Sequence, residues 1–307
     1  MARVMRVSGS TVVVDIAGHD LLCDLRGKLK QGRRRTTTPI VAGDWVHVDS
    51  SSVEEGDRGV VEQVLSRNSR LSRSATGERP LEQIFAANVD RFIAVVAARE
   101  PALRPGFIDR TLVMALSGGV EPMICINKID LDPESMSRGE IVDIYRDLGY
   151  RVLETSAETG EGIPAFAEHL HQGVSALIGP SGVGKSSLLN AVQPGLGIAT
   201  QQLMRNHDRG RHTTTAVQLH RIGVGGFVAD TPGIKQLQPW GVTRERLVEF
   251  FPEMTSHTGH CHYRDCSHLH EPGCGVREAA ANGEISELRY EGFFRIAENL
   301  PKQEIEP

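Results

Sequence analysis

Gly179-Pro-Ser-Gly-Val-Gly-Lys-Ser-Ser187 satisfies the pattern G-x-x-x-x-G-K-[ST] at every fixed position. Glycines at 179, 182 and 184 let the backbone curl until successive N–H groups face one point. A helix starting at Lys185 adds the positive potential of its N-terminus, so the segment can cradle phosphate oxygens. Lys185 is placed to reach β- and γ-phosphates and Ser186 to ligate Mg2+, with Pro180, Ser181, Val183 and Ser187 completing the wrap. Downstream, Asp230-Thr-Pro-Gly233 follows a short apolar run. A carboxylate there can hold Mg2+ through water, and the Gly233 amide can sense a γ-phosphate.

Asn127-Lys-Ile-Asp130 closes a second apolar run. An aspartate at that point can accept from guanine N1–H and the N2 amino group. Adenine offers neither donor in that geometry and would leave a buried carboxylate unpaired. Asn127 can tie the loop to the phosphate loop, and Lys128 can lie over the base. Thr155-Ser156-Ala157 offers a backbone N–H to guanine O6. A guanine nucleotide is therefore expected, as GTP or GDP with Mg2+. A P-loop kinase or ATPase is the competing enzyme class, and the Asn127–Asp130 segment argues against it. An RNA-binding adaptor with a nucleotide pocket that only tunes affinity is the competing non-enzyme.

A third cluster lies near the C-terminus. Cys261-x4-Cys266-x-His268-x5-Cys274 offers three thiolates and one imidazole, enough for one closed tetrahedral Zn2+ of structural role. His257, His260, His262 and His270 stand nearby, so spacing alone leaves the choice of imidazole open. Three of the five cysteines crowd into this stretch, which favours a metal over disulfides in a reducing compartment.

Three kinds of element must position these groups. Residues 1–80 read as all-β, with short runs at Thr11–Val14, Asp20–Leu25, Trp45–Val48 and Gly59–Val64 between Gly, Asp and Ser turns. Such spacing fits a small β-barrel of the OB type. Residues 81–240 alternate strand and helix, a doubly wound α/β pattern whose ligands sit at the carboxyl ends of the strands. Strands are predicted at Arg91–Ala98, Pro122–Asn127, Ser175–Ile178 and Gly226–Asp230. Helices are predicted around Ile141–Leu148, Ile163–Leu170 and Lys185–Val192. Residues 241–307 hold the Cys/His cluster, a short helix capped by Thr243 and ending at Phe250, and a helix from Ser286 to Leu300.

Composition narrows the classes further. The 307 residues carry a net charge of -5, which excludes a globally basic nucleic-acid binder. Charge is uneven, however: residues 1–80 hold 13 basic and 10 acidic side chains, against 21 and 29 in the remainder. Arg26, Lys28, Lys30, Arg33, Arg34 and Arg35 form a run suited to RNA phosphates. No apolar run is long enough for a membrane span and no signal-peptide core is evident, so no membrane partner and a cytoplasmic location are expected.

The order of the motifs is the informative feature. Base-recognition segments follow the phosphate loop in ordinary GTPases, whereas Asn127–Asp130 and Thr155–Ala157 precede Gly179 here. The site can still assemble, because strand ends meet in space whatever the chain order. With a β-barrel before and a Cys/His cluster after, the chain resembles the circularly permuted GTPases of the RsgA/YjeQ family, over nearly its whole length. That resemblance implies a bacterial GTP hydrolase stimulated by the small ribosomal subunit and acting late in its maturation. It also implies an rRNA-binding OB-fold, a permuted P-loop GTPase domain and a zinc-binding helical domain, in a monomer. It selects His268 as the fourth zinc ligand. It places His212, beside Thr213-Thr-Thr215, as the group that positions the attacking water. One of those threonines should complete the Mg2+ shell; Thr214 is favoured, and sequence does not separate it from Thr213 or Thr215. Ile234 follows Gly233 where many GTPases carry a water-orienting glutamine, so unaided hydrolysis should be slow.

Overall fold

The computed structural model describes residues 1–30, 36–49, 58–75, 81–133, 136–196, 217–230 and 238–300. Five N-terminal strands close on themselves: β1 (Ala2–Ser8), β2 (Thr11–Ile16), β3 (His19–Leu25), β4 (Trp45–Asp49) and β5 (Gly59–Val64). Pairing runs β1-β2-β3-β5-β4 and back to β1, with β3 and β5 parallel and the other pairs antiparallel. Closure removes exposed edges. Alternating small apolar side chains fill the interior: Ala2, Val4, Val12, Val14, Cys23, Val46 and Val61 are all buried. The strand β1 carries no sequence signal as clear as the others, because Arg3 and Arg6 interrupt it. Strand alternation sends Val4 into the barrel and Met5 into a different core, and a bulge between Val4 and Arg6 shifts the inward parity so that Val7 faces the barrel next.

A separate hairpin follows, β6 (Arg70–Ser74) and β7 (Glu82–Ala87), spanning the expected first boundary near residue 80. Leu71 and Ala86 pack with Met5 of the barrel and with Phe92, Met114 and Val174 beyond it.

The next sheet has order β10-β9-β8-β11-β13-β12, made of β8 (Arg91–Ala97), β9 (Glu121–Asn127), β10 (Arg151–Glu154), β11 (Gln172–Ile178), β12 (Gln218–Ile222) and β13 (Gly225–Asp230). All neighbours are parallel except β12 with β13. Side-chain alternation feeds two faces. Ile93, Val95 and Ala97 meet α3 (Ile163–Leu170) and α4 (Lys185–Val192), whereas Val96 meets α1 (Pro105–Ser117) and α2 (Met136–Asp147). The predicted helix Lys185–Val192 coincides with α4. Barrel and sheet are continuous, because Arg6 of β1 pairs with Gln218 of β12.

The C-terminal part packs Phe251, Met254, Val276, Phe293 and Ile296 into its own core, with Phe251 and Phe293 edge-on at 5.3 Å. Its helices are α5 (Pro252–Thr255), α6 (Gly275–Ala281) and α7 (Glu287–Ala297). The helix expected after Thr243 is only a 3-10 turn, Leu247–Phe250. The Thr243 hydroxyl accepts a long 3.4 Å bond from the Arg246 N–H, too weak to start an α-helix, and Pro252 ends the turn.

Candidate nucleotide site and metal centre

Strand ends bring the separated motifs together. Asn127 ends β9, Thr155–Ala157 follow β10, Gly179–Gly184 follow β11 and Asp230 ends β13, all at the carboxyl edge of the sheet. Asn127 is 1% exposed, and its Nδ2 donates to the Val183 carbonyl at 2.9 Å. Its Oδ1 accepts from the Ala157 N–H at 3.2 Å and the Thr155 hydroxyl at 3.3 Å. One amide therefore ties the base-recognition segments to the phosphate loop, using its oxygen twice and one of its two N–H donors inside the protein. Gly184 has φ +92°, and a Cβ there would lie 2.4 Å from Asn127 Nδ2. Glycine is thus required twice, for the left-handed backbone and for the approach of that amide.

Ser156, fully buried, donates its hydroxyl to Asp130 Oδ1 at 2.5 Å and accepts from the Thr159 N–H at 3.0 Å. Asp130 is thus held through one oxygen, Oδ1. The Ala157 N–H faces Asn127, so an O6 contact from it would share or exchange that bond. The Thr155 hydroxyl also lies 3.4 Å from Cys125 Sγ and braces the strand ends.

Lys185 Nζ donates to the carbonyls of Gly179 at 2.7 Å and Pro180 at 3.1 Å, curling over its own loop. Burial lowers its pKa, opposed by the charge of Asp230. Asp230 is raised for the same first reason, burial, with His220 and Lys185 pulling it down. Each of these half-buried charges is thus short of compensation, as suits a site meant for a polyphosphate and a divalent cation. His212, Thr213, Thr214, Thr215, Gly233 and Ile234 lie outside the described residues, as do Arg33, Arg34 and Arg35. Of the basic run, Arg26 forms an exposed ion pair with Glu62 of β5.

Cys261, Cys266, His268 and Cys274 bring one ligand atom each to within 4.8 Å of one another. His268 Nδ1 lies 3.5 Å from both Cys261 Sγ and Cys274 Sγ, and those two sulfurs are 4.0 Å apart. A tetrahedral zinc with Zn–S near about 2.3 Å and Zn–N near about 2.0 Å needs edges of about 3.8 Å and 3.5 Å. The donor set fits the ion in kind and in spacing, and it separates His268 from the neighbouring histidines. Glu271 went unnoticed in the sequence, since nothing marks a lone acid between ligands. It accepts from Ser267 Oγ at 2.6 Å, from the Ser267, Leu269 and His270 N–H groups at 3.1, 3.2 and 3.2 Å, and lies 3.7 Å from Cys266 Sγ. Burial works to raise its pKa, but these hydrogen bonds prevail and hold it down at about 2. The ligand loop is thereby fixed by a carboxylate that stays ionised.

The model of the RsgA GTPase family matches residues 64–240. A Small ribosomal subunit biogenesis GTPase RsgA from Gemmatimonas aurantiaca is 37% identical over 92% of this chain and 91% of its own. The chain belongs to the RsgA GTPase family. It is a GTP hydrolase of that family, with the circularly permuted order of GTPase motifs expected. The RsgA of Yersinia enterocolitica is 42% identical over 87% of this chain and 77% of its own length. Among solved structures, YjeQ from Thermotoga maritima superposes with a TM-score of 0.76 at 36% identity, covering 97% of each chain. YloQ, described as a circularly permuted GTPase, gives 0.71 at 26% identity over 97% of this chain and 93% of its own. The chain carries barrel, permuted sheet and Cys3His cluster in that order. No described helix is long and apolar enough to cross a membrane.

Proposed function

We propose that the protein hydrolyses GTP to GDP and phosphate as a late factor in biogenesis of the small ribosomal subunit, stimulated by that subunit and released after turnover. The observation that carries this is the match to relatives named for that process, over 87–92% of the chain and with all three parts present. Residues 1–80 form the rRNA-binding OB-fold, 81–240 the permuted GTPase domain and 241–307 the zinc-binding domain, in a cytoplasmic monomer.

Asp130 pairs with guanine N1–H and N2, with Ser156 holding its other oxygen, and Lys128 covers the base. The amides of Gly179 and of Ser181 to Ser187 wrap the phosphates, and Lys185 leaves its own loop's carbonyls for the β- and γ-oxygens. Ser186 and Thr214 would hold Mg2+ directly and Asp230 through water; the ion would neutralise charge on the phosphates. Gly233 senses the γ-phosphate, and its segment runs directly into the zinc-binding part, so nucleotide state can move that part without a long relay. Ile234 cannot hydrogen-bond the attacking water. His212 takes that role when the protein is bound to the subunit.

Steady-state turnover with and without small subunits tests the reading. Slow unaided GTP hydrolysis, strong stimulation by subunits and no competition by ATP are expected. His212→Ala should keep GTP affinity and subunit binding but lose most of the stimulated rate. Absence of turnover in both conditions would favour the adaptor; competition by ATP would favour the ATPase. Neutralising Arg33, Arg34 and Arg35 should flatten the salt dependence of subunit binding and leave GDP binding intact.

A further inference from the structure

The connection between β8 and α1, residues 98–104, has no role in the motifs above, yet it lies between them. The Ala98 N–H donates to the Asn127 carbonyl at 2.8 Å. Two residues on, the Glu100 carbonyl accepts from Lys128 Nζ at 2.6 Å. Next to it, Pro101 comes nearest to Gly182 of the phosphate loop, 3.9 Å from where a Cβ would stand. The Lys128 stem therefore leaves the guanine motif and ends at a carbonyl beside the phosphate loop, bridging the two segments.

Both partners of this bond sit in left-handed backbone, Lys128 at φ +62° and Glu100 at φ +53°. Neither is glycine, so each conformation is maintained against its own preference. The Glu100 side chain is exposed, and its contribution here is the direction of its carbonyl. A lysine ammonium left in water would sweep its stem through many rotamers, and stacking on a base would require freezing them.

We propose that Glu100 is a positioning residue for guanine nucleotides: its main-chain carbonyl holds the Lys128 ammonium so that the stem is laid out as one wall of the base slot before the nucleotide arrives. This deepens the proposed role of Lys128 and rests on it. Preorganisation lowers the entropic cost of binding. Losing it should weaken the nucleotide about ten-fold, the order set by lysine rotamer freedom.

The experiment uses the full chain and a fluorescent GDP analogue, with dissociation rate and equilibrium affinity as readouts. Glu100→Val places a β-branched residue where φ is positive and should turn the carbonyl away; affinity should fall about ten-fold, mostly through faster dissociation. Glu100→Gly and Glu100→Asn accept positive φ and should stay within about two-fold of wild type. Lys128→Met should weaken binding, and Glu100→Val should have no further effect in that background. Glu100→Val should keep the wild-type far-UV circular dichroism, so that its loss of affinity is not a loss of fold. Equal loss in Glu100→Gly and Glu100→Val would overturn the proposal by assigning the effect to the side chain. Additive losses for Glu100→Val and Lys128→Met would overturn it by showing separate routes. Unchanged affinity in Lys128→Met would remove the base contact itself, a failure distinct from the other two.

Discussion

Arg289 of α7 is the side chain whose loss should cost the most outside the nucleotide site. It is 1% exposed and reaches out of the C-terminal core to Asp109 of α1, with which it forms a buried ion pair. Its Nε donates to Glu253 of α5 at 2.7 Å. Tyr145 of α2 donates its hydroxyl to the same Asp109 oxygen at 2.7 Å. The guanidinium also lies 4.5 Å from the Phe251 ring centroid and 5.4 Å from that of Tyr145. A single cation thus serves two carboxylates from two parts of the chain. Arg289→Ala would leave both carboxylates in a dry interface, where breaking a buried pair costs roughly 3–5 kcal/mol. Because several cores make a single global transition unsafe to assume, local opening is the right observable. Hydrogen exchange of the α7 amides should accelerate by about 10² or more, while exchange in β8 and β11 and the affinity for GDP stay near wild type. The combined variant Asp109→Asn, Glu253→Gln, Arg289→Met removes all three charges together and should recover much of the loss. Unchanged α7 exchange in Arg289→Ala would refute the claim that this cation fastens the zinc-binding helices to the GTPase domain.

The same cluster predicts a pH effect. Burial, opposed by Arg289 and the Tyr145 hydrogen bond, raises the Asp109 pKa from 3.8 to about 6. A carboxyl raised on folding binds its proton more tightly in the native state, so its contribution is present below about pH 4 and is lost as pH rises toward 6. Stability of wild type relative to Asp109→Asn should therefore fall across that window by up to about 3 kcal/mol, and a flat difference would contradict it. Asp130→Asn exchanges an acceptor for a donor facing guanine and should weaken GDP binding by about 10² or more, read by titration with the fluorescent analogue. Metal analysis of fresh protein should give about one zinc per chain. Cys266→Ser should lose it and open residues 241–300, as read by hydrogen exchange, with the GTPase sheet intact; zinc-free wild type would end that reading.

The phosphate loop, the guanine segment, the buried strand β8 and the helix Lys185–Val192 were legible because each is specified locally. A run of apolar residues, a glycine at a fixed offset and a helix start need only neighbours along the chain. The guanine and phosphate motifs could be assigned to one pocket from their types, since strand ends converge regardless of chain order. The sequence also narrowed the zinc ligands to three thiols and an imidazole. The family resemblance named His268, and the folded distances set its Nδ1, rather than a neighbouring imidazole, against the sulfurs. The strand β1 was missed because its two faces serve different cores, one in the barrel and one against β6 and β7, which breaks the alternation that marks a strand. Asn127 reaching Val183, Lys128 ending on Glu100, and Arg289 pairing with Asp109 across 180 positions are decided by the tertiary structure alone. Each is a polar group whose partner comes from another element, and a buried polar group is stable only where that partner arrives, a condition no local pattern encodes.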